Sequence, residues 1–559
     1  MKRWFAALLC LLILVGVLPG AASAQEETVK VPINKEAVLA GLYEADLTSL
    51  REAIMEGFIT SEELTQYYIA RIAQYNAPYN CFITMCEDAM DKAREKDALL
   101  KEGKAEGALF GVPVVIKDNL DLEGYHTTNG YKKKDSQIAK SNAKVVDALL
   151  KEGAVIIAKT NMSTGAMRAE YSRSQVAGDT KNAYSKYLSP GGSSGGSAVA
   201  TSLNFAAASL GTDTNSSLRY PAVLNGCVTL RPTFGLLSQD GMKKLNANRD
   251  TAGAITRTVK DQAIMLDVLT ESAYQYTDNL DANALNGMRI GILRELSYAT
   301  GKDGRTESKV DKEILTAFQA AVEQLKACGA EVVEVSMPNI ISTGNATVNK
   351  EKTKRDPFKK NFEKLLQDNS ISAVIFPTYL SAPLRIGKDE NGKTWNPLSQ
   401  TLLINTRTLS PSAGVPELAL PIGYHSLGAG IGMEIAGASG SEQVLLNIAY
   451  AFTEYKDLRV APTDAPNQYA EKSAGSLRQV IDDHYAAVEE AIRLEEERKQ
   501  EAERLRLEQI AAQKAKLEAQ RKEQIMIIVW ICVATAALVA VSLAIVIWAT
   551  RKEKEPAVQ

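Results

Sequence analysis

The chain predicts an α/β fold: a large mixed, mostly parallel β-sheet covered by helices, followed by a long charged helix and one transmembrane helix. Three observations carry this expectation. Short β-branched and apolar runs alternate with helix-period segments across residues 109–453, the pattern of βαβ units. Residues 486–523 are dominated by Glu, Arg, Lys, Gln and Ala and contain neither proline nor glycine, the composition of an exposed helix. Residues 525–549 form an almost unbroken apolar run, long enough to cross the roughly 30 Å hydrocarbon layer of a bilayer.

In chain order, Leu47, Leu50 and Ile54, then Leu64, Tyr68, Ile69 and Ile72, recur every three or four residues. They predict a pair of helices, the second capped by Thr60 ahead of Glu63. Strands are expected at 112–116 and 154–158 around a helix at 143–152, and again at 289–293 and 331–335 around a helix at 309–327. Further strands are expected at 373–376, 418–422 and 432–435, and a closing helix at 442–452, so that the compact domain ends near Tyr485. The charged residues of 350–360 are read as the solvated face of a surface helix.

The ends suggest a location. Lys2 and Arg3 precede an apolar stretch and an Ala22-Ser23-Ala24 cleavage pattern, which reads as a signal peptide over residues 1–24. The expected domains are then 25–485 as the compact domain, 486–524 as a helical stalk, 525–550 as a transmembrane helix and 551–559 as a tail. Arg551, Lys552 and Lys554 place that tail in the cytoplasm by the positive-inside rule, and leave the compact domain at the cell surface or in the periplasm. Fully helical, the stalk would span roughly 50 Å. Its residues 495–501 hold no apolar side chain, so a single charged helix is favoured over a sustained coiled coil, and whether it pairs as a homodimer stays open. The formal charge of −3, with both signs interspersed, gives no footprint for nucleic acid. Cys81, Cys86, Cys227 and Cys328 show no metal-ligand spacing; no metal or other cofactor is expected, and a Cys81–Cys86 disulfide is left open.

The densest motif is SPGGSSGGSA at 189–198. As a phosphate cradle it lacks the Gly-Lys-Ser/Thr of a P-loop. As a nucleophile elbow, Gly191-x-Ser193-x-Gly195 needs a downstream histidine, and of His126, His425 and His484 only His425 is suitable. Alongside it stand GVPVVIKDN at 111–119 and GTDTNSSLRYP at 211–221, with KTN at 159–161, LRPTFG at 230–235 and GVPELALPIG at 414–423. In order and approximate spacing this set resembles the amidase signature family, over most of residues 46–453.

The resemblance implies a Ser-Ser-Lys triad: Ser217 as nucleophile, Ser193 as the bridging serine after a cis Gly192–Ser193 peptide, and Lys117 as base. Ser194 and Ser197 are neighbours outside it. A lysine that follows the apolar residues 114–116 and is enclosed by buried groups loses its charge easily, so the chemistry needs no histidine. The oxyanion hole falls on the N–H groups of Thr214, Asn215, Ser216 and Ser217, and Asp213 and Arg219 are expected to pair and fix the loop. The chain departs from the family at Asn215-Ser216, where Gly-Gly is usual; a turn requiring positive φ would resist these side chains and reshape the hole. Further departures, Ser163-Thr164 and Tyr131, are expected around the pocket. The implied activity is hydrolysis of a carboxamide C–N bond in a small amide or amidated peptide, releasing ammonia or an amine. The competing readings are a catalytically weak amidase-like surface binding protein and, within the family, part of a tRNA-dependent amidotransferase, which a signal peptide and anchor would separate from its tRNA.

Overall fold

The computed structural model describes residues 31–300, 305–338, 340–341 and 355–552. The expected signal peptide and most of the expected tail lie outside them. The chain divides into two units, Ile33–Ile481 and a second comprising Met1–Pro32 and Asp482–Gln559.

An eleven-stranded sheet organises the first unit. In chain order its strands are β1 (Phe82–Met85), β2 (Pro113–Lys117), β3 (Val155–Thr160), β4 (Ala208–Asp213), β5 (Val228–Arg231), β6 (Thr251–Thr256), β7 (Arg289–Leu293), β8 (Glu331–Val335), β9 (Ala373–Pro377), β10 (Glu417–Tyr424) and β11 (Gly430–Ala436). Across the sheet they run β1-β3-β2-β4-β6-β5-β10-β11-β9-β7-β8. The sheet is mixed: β3-β2-β4 and β9-β7-β8 are parallel blocks, while the ladders from β4 through β6, β5, β10 and β11 to β9 are antiparallel, as is β1 on β3.

Local chemistry explains these elements. Every residue of β2, β3, β4 and β6 is buried, so apolar runs replace the alternation of a half-exposed strand. The helix Ser61–Tyr75 starts on a capping box, the Thr60 side chain accepting from the Glu63 N–H and the Glu63 carboxylate from the Thr60 N–H, which satisfies two otherwise orphaned donors. The helix Lys312–Ala327 buries Ile314, Phe318, Ala321, Val322 and Leu325 on one face, and the helix Glu442–Tyr455 packs against β10.

Parallel β2 and β4 are neighbours, with Ile116 opposite Leu210. Their carboxyl ends therefore bring Lys117 next to Thr212 and the turn after Asp213. Ligands of α/β sheets gather at such strand ends. The helix Gly195–Ser202 packs beneath them and is pinned by its hydroxyls: Ser197 Oγ donates to Leu210 O at 3.0 Å and Thr201 Oγ1 to Ser209 Oγ at 2.8 Å. Gly196 is required at this crossing, because a Cβ there would lie 2.3 Å from Asn161 O and 2.6 Å from Cys81 O. Cys81, Cys86, Cys227 and Cys328 are free thiols, which answers the open disulfide question; burial pushes the Cys86 thiol up to about 12.

The second unit contains most of the helix Leu477–Lys552. Its apolar part is the one helix among the described residues long and apolar enough to cross a membrane, and its side chains are open, Trp530 at 69% and Trp548 at 62% exposure.

Candidate active site

Lys117 ends β2 fully buried. Its Nζ lies 2.7 Å from Ser193 Oγ, donates to Thr212 Oγ1 at 2.8 Å and reaches Thr212 O at 3.4 Å. Burial lowers its pKa to about 7, against the opposing pull of Asp213 and Asp250. Near neutral pH the amine is therefore half uncharged, the condition for accepting a proton. Thr212, to which the sequence alone gives no role, orients the amine while accepting a second hydrogen bond from Asn119 Nδ2 at 3.0 Å.

Ser193 is fully buried in the glycine-rich loop, after a cis Gly192–Ser193 peptide. A Cβ on Gly192 would stand 2.4 Å from Tyr171 O and 2.5 Å from Arg168 O, so only glycine fits. The loop is tied to the next motif by Ser194, whose N–H donates to Ser217 O at 3.1 Å and whose hydroxyl donates to Thr212 O at 3.2 Å. Ser217 lines a cavity of about 410 Å³ together with Thr214, Asn215, Ser216, Arg168, Glu170 and Arg407. Among the described residues its hydroxyl makes no side-chain hydrogen bond. The Lys117–Ser193 link is thus formed, and the Ser193–Ser217 link is not; such contacts commonly tighten only around substrate.

The backbone N–H groups of Thr214, Asn215, Ser216 and Ser217 have no acceptor among the described residues. Neither Asn215 nor Ser216 has positive φ. The expected strain on side chains here is corrected: the turn does not use the conformation that favours glycine. Ser163, Thr164 and Tyr131 do not line the cavity; Ser163 Oγ donates to Arg168 O at 3.0 Å and Thr164 Oγ1 to Gly130 O at 3.1 Å.

Asp213 and Arg219 are in contact at 3.1 Å, both fully buried, within a wider network. Arg219 also meets Glu417, reaches Glu434 at 3.4 Å and donates to Asn215 O at 2.9 Å, and Arg231 reaches Asp213 at 3.2 Å. Burial would raise the Asp213 pKa, but the Arg219 and Arg231 guanidiniums hold it below the usual carboxylate value. Burial, reinforced by neighbouring Glu417, drives the Glu434 pKa the other way, upward, against the pull of Arg219. Arg231 and Glu417 sit inside motifs already noted, LRPTFG and GVPELALPIG; Glu434, Arg249 and Asp250 carried no local signal. A second buried pair, Lys159 and Asp118 at 3.4 Å, braces the adjacent strand ends.

The histidines stand elsewhere. His425 Nε2 lies 3.3 Å from Asp311 Oδ2 while its Nδ1 accepts from the Leu427 N–H at 3.0 Å. His126 Nδ1 lies 2.9 Å from Ser136 Oγ. The partner of Ser193 is Lys117, which removes the support for a histidine-based elbow.

The model of the family described as Amidase matches residues 63–347. The A subunit of glutamyl-tRNA(Gln) amidotransferase from Caldanaerobacter subterraneus subsp. tengcongensis is 30% identical over 482 residues, covering 74% of this chain and 96% of that protein. Its counterpart from Thermoanaerobacter pseudethanolicus is 29% identical over 491 residues, covering 75% and 98%. Among solved structures, native peptide amidase from Stenotrophomonas maltophilia superposes with a TM-score of 0.63 at 26% identity, over 76% of this chain and 99% of that one. Fold and matches together define a hydrolase that cleaves amide bonds. The chain belongs to the amidase signature family.

Proposed function

We propose that Ser217 is the nucleophile, Ser193 the bridging serine and Lys117 the base of an amidase working through an acyl-enzyme. Lys117 takes the Ser193 proton as Ser193 takes that of Ser217, and Ser217 Oγ adds to the amide carbonyl. The negative charge that develops on the carbonyl oxygen is met by the N–H groups of residues 214–217. The C–N bond then breaks, the leaving amine receives a proton back through Ser193, and water releases the acid. The observation that carries this reading is the buried, half-neutral Lys117 amine 2.7 Å from Ser193 Oγ; Asp213 and Arg219 support the turn that carries the nucleophile.

The substrate is a small amide or an amidated peptide, a reading that the polar cavity beside Ser217 and the similarity to peptide amidase favour. The relatives named as parts of an amidotransferase leave a tRNA-linked reaction as the rival. The apolar helix is assigned to anchor the enzyme, with catalysis outside the cytoplasm. The test is ammonia release from C-terminally amidated dipeptides and short aliphatic amides by the full-length chain in mild detergent. Release that disappears in Ser217→Ala, with hydroxylamine trapping the acyl group as a hydroxamate, supports the proposal; release that survives Ser217→Ala overturns it.

A further inference from the structure

The turn of residues 214–217 is held from outside by two consecutive residues. Thr214 Oγ1 donates to Asp250 Oδ1 at 2.5 Å, and Asp250 Oδ2 is fixed in turn by the Leu245 and Asn246 N–H groups at 2.6 and 3.0 Å. One residue earlier, Arg249 donates through a terminal guanidinium nitrogen to Asn215 Oδ1 at 3.1 Å. The Arg249 backbone is itself anchored, its carbonyl accepting from Arg231 at 2.7 Å. Asn215 is gripped at both ends, since its own carbonyl accepts from Arg219 at 2.9 Å.

Arg249 is unusual in its charge balance. It is only 5% exposed, yet among the described residues it has no carboxylate partner, whereas Arg219 and Arg231 share Asp213, and Arg219 also has Glu417. The charges that act on it are cations: Arg231 and Arg355 add to burial in lowering its pKa to about 10, which leaves it protonated at neutral pH. Burying a guanidinium without a counter-ion is costly, and its one hydrogen-bond acceptor among the described residues is the neutral side-chain oxygen of Asn215. That is the position at which this chain carries a side chain able to accept a hydrogen bond, in a turn whose φ values do not demand glycine.

We infer that Arg249 is a positioning residue of the reaction: it grips Asn215 and, through it, the turn of residues 214–217, and it brings a guanidinium that no carboxylate contacts beside the donors that receive the developing oxyanion. The inference rests on the proposed role of that turn. Charge at this place favours the anionic transition state over the neutral bound amide, so its loss falls on the chemical step and leaves ground-state binding alone. Asn215 is the mechanical link. Without its side chain, Arg249 has nothing to hold.

The test uses the full-length chain in mild detergent and a fluorophosphonate probe, whose attack by Ser217 also builds negative charge on an oxygen in the turn. The inactivation rate constant kinact and the half-saturating concentration KI are measured for wild type, Arg249→Met, Arg249→Lys, Asn215→Gly and the Arg249→Met/Asn215→Gly pair. Direct loss of an oxyanion donor costs about 100-fold or more, and an indirect support should cost about tenfold. Arg249→Met and Asn215→Gly are each expected to lower kinact about tenfold with KI within about twofold. Arg249→Lys restores most of kinact because it keeps both the charge and an N–H donor for Asn215 Oδ1, and the double variant is no slower than the slower single one. Asn215→Gly leaves the buried guanidinium in place, so it decides the question even if Arg249→Met does not fold. Wild-type kinact in both single variants, an effect on KI alone, or losses that multiply in the pair would overturn the inference. Ser217-dependent labelling indifferent to Arg249 sinks this inference alone; wild-type protein that is folded but shows no Ser217-dependent labelling sinks the relay and the inference together.

Discussion

Replacing Lys117 by Met should destroy activity while stabilising the protein at neutral pH, and the size of the gain follows from burial. The amine has an ordinary pKa of 10.5 and about 7 in the fold. At pH 7 the unfolded chain holds the proton fully and the native chain only half the time, so folding must strip part of it. At about 1.36 kcal/mol per pKa unit the cost is about 4 kcal/mol at pH 7. Because the unfolded state binds more protons between these two values, stability rises with pH across the interval, and the cost shrinks to about 1.5 kcal/mol at pH 9.5. Met removes this cost but deprives Ser193 Oγ of its partner and Thr212 Oγ1 of one of its two, a penalty of roughly 1–3 kcal/mol that does not depend on pH. The net gain at pH 7 is therefore about 1–3 kcal/mol, and the pH-dependent part is the cleaner signal. Urea titrations of wild type and Lys117→Met, full-length in mild detergent and followed by near-UV circular dichroism, should show the stability difference moving by about 3 kcal/mol between pH 7 and 9.5 in favour of wild type. A difference that stays constant across that interval would mean that Lys117 is charged in the fold, and the argument for it as a base would fail.

Other expectations concern the surroundings. Asp250 pulls the Lys117 pKa up, so Asp250→Asn should move the acid limb of the kcat/KM profile to lower pH; an unmoved or raised midpoint would exclude that coupling. Burial and neighbouring Glu417 push the Glu434 pKa up, so Glu434→Gln, a neutral side chain of the same shape, should change stability by less than about 1 kcal/mol. Arg219→Met leaves buried Glu417 without a cation and Asp213 with Arg231 alone, and should cost about 3–5 kcal/mol, both measurable by the same titrations; equal effects would contradict the placing of Arg219 at the centre of this network. His425 faces Asp311 away from the relay, so His425→Ala should keep kcat/KM for amide hydrolysis within about twofold, and its loss would revive the histidine-based elbow.

Much of the architecture was legible because burial writes itself into the sequence as pattern. β7 and β8 fall on the expected residues, Arg289–Leu293 and Glu331–Val335, and the Thr60 capping box forms as its spacing implied. The strands around the site were harder to see. β4 reads Ala-Ser-Leu-Gly-Thr-Asp and β6 Thr-Ala-Gly-Ala-Ile-Thr, small and hydroxylated residues that leave room for close-packed neighbours and carry little hydrophobic signal, so the antiparallel centre of the sheet escaped the periodicity argument. Motifs carried Lys117, Ser193 and Ser217 because loop chemistry needs specific residues at fixed local spacing. Asp250 and Arg249 escaped because their contacts with Thr214 and Asn215 span 36 and 34 positions, and only the sheet brings them together. The feared distortion at Asn215-Ser216 could not be judged from residue types, since the same pair is costly or harmless according to the sign of φ.

The relay itself is tested most directly by where, and through which groups, a fluorophosphonate probe reacts. Peptide mapping of the labelled full-length chain should find the adduct on Ser217, absent in Ser217→Ala. The labelling rate should rise with a midpoint near pH 7, as Lys117 loses its proton, and should fall by about 100-fold or more in Ser193→Ala and Lys117→Ala. An adduct on another serine, or labelling of Ser217 at the wild-type rate without Lys117, would contradict the account.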